Sequence, residues 1–280
     1  MGHVAVVTDS TASLPAGLIE AAGIVVVPLD VVVDGVPHRE GLDITTAQIV
    51  SALRSGAVVR TAHPGPEAFA RAYARVAARG ATEIVSIHLS GELSGTVTSA
   101  EIAAQSAAVP VHVVDSRTVG MALGFAALRA AGTRSLDGAA VARAAQDRAA
   151  RTTVRFAVDT LEYLRAGGRL GPLAATLGTV LGLRPVLSVR DGRLDVVEKV
   201  RTSARARERV IELARVDTAR RGRVEMAVHH LGEPDAAAVV ADRLRAACAG
   251  QLTAVHVAEI SAVVGAHAGP GLLAVVVADA

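Results

Sequence analysis

The chain has 280 residues, 51% of them hydrophobic and only 2% aromatic, with a formal net charge of +2. Its core must therefore be Val, Leu, Ile and Ala. So few rings exclude base-stacking platforms, and the interspersed charges form no block suited to nucleic acid or to a polybasic membrane anchor. A single cysteine, Cys248, excludes an internal disulfide and a Cys-based zinc site, and its Ala-rich helical surroundings read as packing.

The N-terminus enters an apolar strand, Val4 to Val7, with no signal-peptide pattern, and no apolar run reaches membrane-spanning length. Both features predict a cytoplasmic protein. The strand ends in Asp9-Ser10-Thr11, and Pro15 opens a helix. Ile24 to Val27 is a second strand. Asp30 to Val36 is apolar and is broken by the turn signal Asp34-Gly35. Thr45 and Gln48 form a capping box for a helix ending near Gly56. Residues 60–66 read as a loop, and Glu67 to Ala78 as an amphipathic helix.

Ile84 to Leu89 then reads as a buried strand, followed by a small-residue loop, Ser90 to Thr96, and a helix carrying Val97, Ile102 and Ala103. A helix N-terminus has unpaired N–H groups and a positive dipole end, so this loop suits an anion. Ser90, Ser94 and Thr96 add hydroxyl donors, and Gly91 and Gly95 allow close approach to the backbone. The same residues suit an ordinary capped strand-to-helix turn equally well. Val111 to Val114 ends, like the first strand, in Asp-Ser (Asp115, Ser116), and residues 118–131 and 137–150 read as helices. The alternation predicts a mostly parallel, doubly wound sheet that binds ligands beyond the carboxyl ends of its strands. Asp9-Ser10, Thr61 and Ser94 are expected in loops of that kind.

The pattern changes after about residue 150. Val154 to Asp159 is a strand, and Leu161 to Ala166 is a short helix ended by Gly167-Gly168. Pro172 to Gly182 reads as an apolar helix. Val186 to Arg190 and Arg193 to Val200 flank Asp191-Gly192, a type I′ hairpin signal. Strands follow near 223–229, 253–260 and 272–278, with helices at 203–217 and 235–248. The predicted fold is two-domain α/β: a parallel-sheet α/β/α domain over 1–155, and a mixed or antiparallel sheet with helices over 156–280.

Several chemistries are excluded. Lys199 is the only lysine and sits in a strand pattern, so there is no P-loop. Gly91 to Gly95 misses the G-x-S-x-G elbow by one residue. Gly269-Pro270-Gly271 precedes a strand, so it is no dinucleotide loop. His229 and His230 point to opposite faces of a strand and make poor joint metal ligands. His88, inside a strand, reads as packed. What remains is a set of polar and cationic residues in Gly-rich segments: Thr61, Ser94, Arg165, Arg169, Arg201 and His267. The small residues around His267, from Gly265 to Gly271, suggest close approach by a ligand, with a flexible exposed turn as the alternative.

These residues carry a family resemblance. VVTDSTASLP at 6–15, VVPLDVVVDG at 26–35, RTAHPGP at 60–66 and LSGELSGTVTSA at 89–100 take part. So do VHVVDSRTVGMALG at 111–124, YLRAGGRLG at 163–171, KVRTSARA at 199–206 and VGAHAGPGLLAVV at 264–276. Nearly end to end, the chain resembles the DegV family, the fatty-acid-binding subunits of bacterial fatty acid kinase. The resemblance implies a long-chain fatty acid held in a buried tunnel as the ligand, with no cofactor and no metal. It implies that Thr61, Ser94 and His267 bind the carboxylate, and that the protein performs no chemistry alone. It presents the acid to a separate ATP-dependent fatty acid kinase subunit, which makes the acyl phosphate. Arg169 and Arg201 are then expected beside the head group or at the partner-docking surface, and Gly95 lets the acid approach the loop. Where the family commonly has Thr-Ser-Gln-Pro-Ser, this chain has Thr61-Ala62-His63-Pro64-Gly65, so His63 is a candidate extra donor.

The energetics are compatible with this. A buried acyl chain gains about 0.8 kcal/mol per methylene before binding entropy is subtracted. The carboxylate needs donors, because an unpaired buried charge is costly. Phe69, Phe125, Phe156, Leu177 and Val180 are candidate tunnel walls by apolarity, or ordinary core. Further expectations are a monomer, no nucleic-acid partner, and membrane contact only for lipid exchange. The rival reading is an enzyme, a small-molecule phosphotransferase or acyl-transfer enzyme related to the substrate domains of dihydroxyacetone kinases, with His267 or Ser94 reacting. Bound-ligand chemistry separates the two: long and apolar, or short and polar.

Overall fold

The structure, a computed structural model, describes residues 3–170 and 183–280. Strand β1 (Val4–Asp9) is buried along its whole length. Asp9 caps the 3-10 turn Ser10–Ala12, and α1 (Ala16–Ala22) leads to β2 (Val25–Val27), which runs parallel to β1. A small antiparallel sheet follows, built from β3 (Asp30–Val33), β4 (Val36–Arg39) and β5 (Val59–Ala62). Asp34 and Gly35, at φ 48° and 85°, make the tight β3–β4 turn that their sequence signals. Helix α2 (Thr46–Arg54) lies between β4 and β5 and starts at the Thr45–Gln48 capping box. Residues 59–62 thus correct the expectation of a loop. Val31 pairs with Thr61, so a distant partner strand orders a segment too short to show its own periodicity.

Helix α3 (Pro66–Ala77), β6 (Glu83–His88), α4 (Thr96–Ala104) and β7 (Val111–Asp115) complete a four-stranded parallel sheet in the order β2-β1-β6-β7. The chain leaves β1 toward one edge and returns through β6 toward the other. The order therefore reverses between β1 and β6, and the loops after them flank the crevice where such sheets bind ligands.

Helices α5 (Met121–Gly132) and α6 (Gly138–Arg151) lead into the second half of the chain. Helix α5 is buried on both sides: Leu123 and Ala126 belong to the core of the parallel sheet, and Met121 and Phe125 to the core of the next one. The larger sheet takes β8 (Thr153–Ala157), then α7 (Glu162–Ala166), β9 (Arg184–Arg190), β10 (Arg193–Val200), α8 (Ser203–Thr218) and β11 (Val224–His230). Helix α9 (Pro234–Ala247), β12 (Leu252–Glu259), α10 (Ala262–Ala268) and β13 (Leu273–Asp279) complete it. Its order is β10-β9-β8-β13-β11-β12, antiparallel except for the parallel pair β11 and β12. The mixed sheet and the Asp191-Gly192 hairpin agree with the sequence. All of β8 belongs to this sheet, so a division at 155/156 would cut a strand, and the chain changes sheets at Thr152. The helix read from Pro172 to Gly182, with Leu177 and Val180, lies outside the described residues.

Candidate functional site

An apolar cavity of about 130 Å³ lies between the two halves of the chain. Among the described residues, Leu29, Leu89, Leu93 and Val119 line it from the first half of the chain. Val154, Phe156, Val189, Leu194, Ile260 and Leu272 line it from the second. Phe156 is thus a wall residue, whereas Phe69 and Phe125 are fully buried core residues outside the lining. Hydrophilic side chains gather mainly in one group, made of Thr61, His63, Ser94, Arg169 and His267.

Strand β5 carries Thr61, and its Oγ1 lies 2.8 Å from His267 Nε2, a contact spanning 206 positions of sequence. His267 sits in the last turn of α10, not in a loop, because Ser261 caps that helix through Val264 N–H at 3.1 Å. The first half of the chain fixes the start of α10. Ser13 Oγ accepts the Ser261 N–H at 3.0 Å, and the Glu40 carboxylate accepts the Ala262 N–H. Burial holds the Glu40 carboxyl above the usual range. Gly167 packs close against the imidazole: a Cβ there would stand 2.0 Å from His267 Nδ1. Desolvation, helped by the nearby Arg169 charge, pushes the His267 pKa down to about 4, so the ring is neutral at pH 7.

Ser94 lies in the turn before α4, and its Oγ is 2.8 Å from Thr96 Oγ1. The His63 ring lies against Gly95, with Cε1 3.1 Å from where a Cβ would stand. Exposed Arg169 donates through Nε to Leu93 O at 3.2 Å and through Nη1 to Gly167 O at 2.5 Å, which ties the Ser94 turn to the segment after α7. The fold therefore brings Thr61, His63, Ser94, Gly95, Arg169 and His267 to one region. Arg201 is exposed just before α8 and does not line the cavity, and Arg165 is exposed on α7.

Sequence reasoning weighed His229 only as a metal ligand and missed its place in the cavity wall. Its Nε2 accepts the Met121 N–H at 2.9 Å, and its Nδ1–H donates to Ala258 O at 2.9 Å. Both nitrogens are thus occupied and the tautomer is fixed. Complete burial pushes the pKa to about 4. His229 presents the cavity with a neutral ring whose polar atoms are already bonded. A single strand position gives no sign of this.

Behind the site, Asp9 Oδ2 lies 3.0 Å from His88 Nδ1 and accepts the Leu89 N–H at 3.0 Å. His88 Nε2 lies 2.7 Å from Ser86 Oγ, which accepts the Tyr73 hydroxyl proton at 2.9 Å. Asp9, Ser86 and His88 are all 0% exposed. This Ser–His–Asp set holds the strand end that leads into the Ser94 turn. His88 is packed, as its strand position indicates.

Fold and site together define an α/β protein of three sheets with an apolar cavity that is polar at one end. The family description "Uncharacterised protein, DegV family" matches residues 3–280, and the chain belongs to the DegV family. A DegV domain-containing protein of Streptomyces coelicolor is 50% identical over 279 residues, 99% of each chain. A fatty-acid-binding DegV family protein from Thermus thermophilus superposes with a TM-score of 0.90 at 36% identity, over 99% of this chain and 100% of its own. DegV of Bacillus subtilis, a fatty acid binding protein, gives 0.92 at 27% identity over the whole of both chains.

Proposed function

We propose that this protein binds a long-chain fatty acid, with the acyl chain in the cavity and the carboxylate at Thr61, Ser94 and His267. The observation that carries the reading is the one-ended polarity of the cavity. Thr61 and His267 meet at 2.8 Å in one group with His63, Ser94 and Arg169, while the rest of the lining among the described residues is aliphatic or glycine, Phe156, or a His229 whose nitrogens are already bonded. The fatty-acid-binding relatives from Thermus thermophilus and Bacillus subtilis support the same reading. A neutral His267 with its proton on Nε2 donates to Thr61 Oγ1, which frees the Thr61 hydroxyl proton for the carboxylate. Ser94 supplies a second hydroxyl, and Arg169 and His63 add donors at the same end. An apolar cavity of about 150 Å³ accepts a benzene-sized guest. At about 130 Å³, this one takes a long chain only as wall side chains rotate.

The protein supplies binding and orientation, and a separate ATP-dependent kinase subunit phosphorylates the presented carboxylate. Arg169, beside the site, and Arg201, exposed before α8, serve that docking, since guanidinium groups suit phosphate and carboxylate partners. No helix among the described residues is long and apolar enough to cross a membrane, in keeping with a carrier that meets the bilayer only to exchange lipid.

Ser94→Ala and His267→Ala test the site. Each is expected to weaken fatty-acid affinity by about 1–3 kcal/mol while the fold persists. Unchanged affinity in both variants would remove the carboxylate from this position.

A further inference from the structure

We propose that Ser90 and the tip of the β9–β10 hairpin are positioning elements for the carboxylate site. They set the turn that carries Ser94 without touching the ligand. The inference rests on the fatty-acid reading and adds residues to the same site. Ser90 is fully buried and joins three segments. Its N–H donates to Thr118 O at 2.9 Å, and its carbonyl accepts the Leu93 and Ser94 N–H groups at 3.0 and 3.1 Å, so the Ser94 backbone hangs from Ser90. The Ser90 hydroxyl accepts the Glu92 N–H at 3.2 Å and donates to Gly192 O at 2.7 Å.

Gly192 lies on the other sheet, at the tip of the hairpin whose Val189 and Leu194 line the cavity. Two more contacts hold that tip. Arg117 Nη2 donates to Asp191 O at 2.8 Å, and Arg193 donates through Nε and Nη2 to Glu92 Oε2 at 2.9 and 2.8 Å. Gly192 has φ +82°, and a Cβ there would stand 2.5 Å from Ser90 Oγ, so the close contact requires glycine. The hairpin thus contributes cavity wall through its strands and holds the Ser94 turn through its tip. Preorganising the turn spares the ligand the cost of ordering it.

The test is a double-mutant cycle read with two ligands, hexadecanoic acid and 1-hexadecanol, which share a chain and differ in the head group. In Ser90→Ala the Kd for the acid should rise about tenfold, the size of one net hydrogen bond, with the Kd for the alcohol unchanged. In a Ser94→Ala background, Ser90→Ala should add less than about twofold, because it acts through Ser94. Arg193→Ala leaves Ser90 in place but frees the tip from Glu92. It should give a smaller loss, about two- to threefold and again confined to the acid, because the pair is exposed and the tip keeps its other contacts, and it carries the test if Ser90→Ala does not fold. Equal losses for acid and alcohol, full additivity with Ser94→Ala, or an unchanged Kd for the acid would each overturn the proposal. A wild-type protein that binds neither ligand would overturn the fatty-acid reading itself, and the positioning role with it.

Discussion

At the residue scale, burial decides the charge states. His229 and His267 both have pKa values pushed down to about 4 by desolvation, so both are neutral in the folded protein near neutral pH. In the unfolded chain their pKa returns to about 6.5. Folding stability is therefore fully present above that value and declines as the pH falls from about 6.5 toward 4, where the unfolded state binds protons that the folded state refuses. For His229, completely buried with both nitrogens engaged, the loss is on the order of 3 kcal/mol. Glu40, with its pKa raised, acts in the opposite direction over the acid range, so the clean comparison is between variants. His229→Gln is expected to be less stable than wild type at pH 7 and to lose less stability between pH 7 and pH 4.5 in urea titrations. A variant as acid-sensitive as wild type would show that His229 does not govern this slope. Ser94 and His267 were legible because small residues crowd around them in sequence. His229 was not, since its role comes from Met121 and Ala258, both distant in the chain.

At the scale of elements, the parallel strands, the Thr45–Gln48 cap and both Asp-Gly turns were readable from periodicity and local turn chemistry. Strand β5 and helix α10 were not. Four residues, Val59 to Ala62, are too few for alternation to show, and their partner β3 is separated by the whole of α2. Helix α10 is short and rich in Gly and Ala, and it depends on Ser13 and Glu40, more than two hundred positions away, to hold its start. Helix α10 aims His267 at Thr61, and Gly167 on the neighbouring segment leaves room for the ring. Gly167→Ala places a methyl group 2.0 Å from His267 Nδ1, so the imidazole or the segment must move. The expected result is fatty-acid affinity lowered by at least about tenfold, the size of one lost head-group contact, with thermal stability reduced as well. Wild-type affinity in this variant would mean that the position of His267 does not matter for binding.

At the scale of the whole molecule, the cavity is closed by both halves of the chain. Thr61, Ser94 and Leu89 come from the first half of the chain, and His267, Phe156 and Leu194 from the second. A ligand held between them binds the assembled fold and not the unfolded chain. Fatty acid at about a hundredfold excess over its Kd should therefore stabilise the protein by about 2.7 kcal/mol and raise Tm by roughly 5 °C or more. Equal Tm values with and without acid would argue against a site shared by the two halves of the chain.

The most direct measurement is native mass spectrometry of the purified protein, followed by organic extraction and lipid analysis of whatever it carries. The account predicts a bound mass that extraction identifies as a fatty acid, or an empty protein that takes up one equivalent of added long-chain acid. A protein that is empty and stays empty in the presence of fatty acids, or that carries a short polar metabolite in their place, would contradict it.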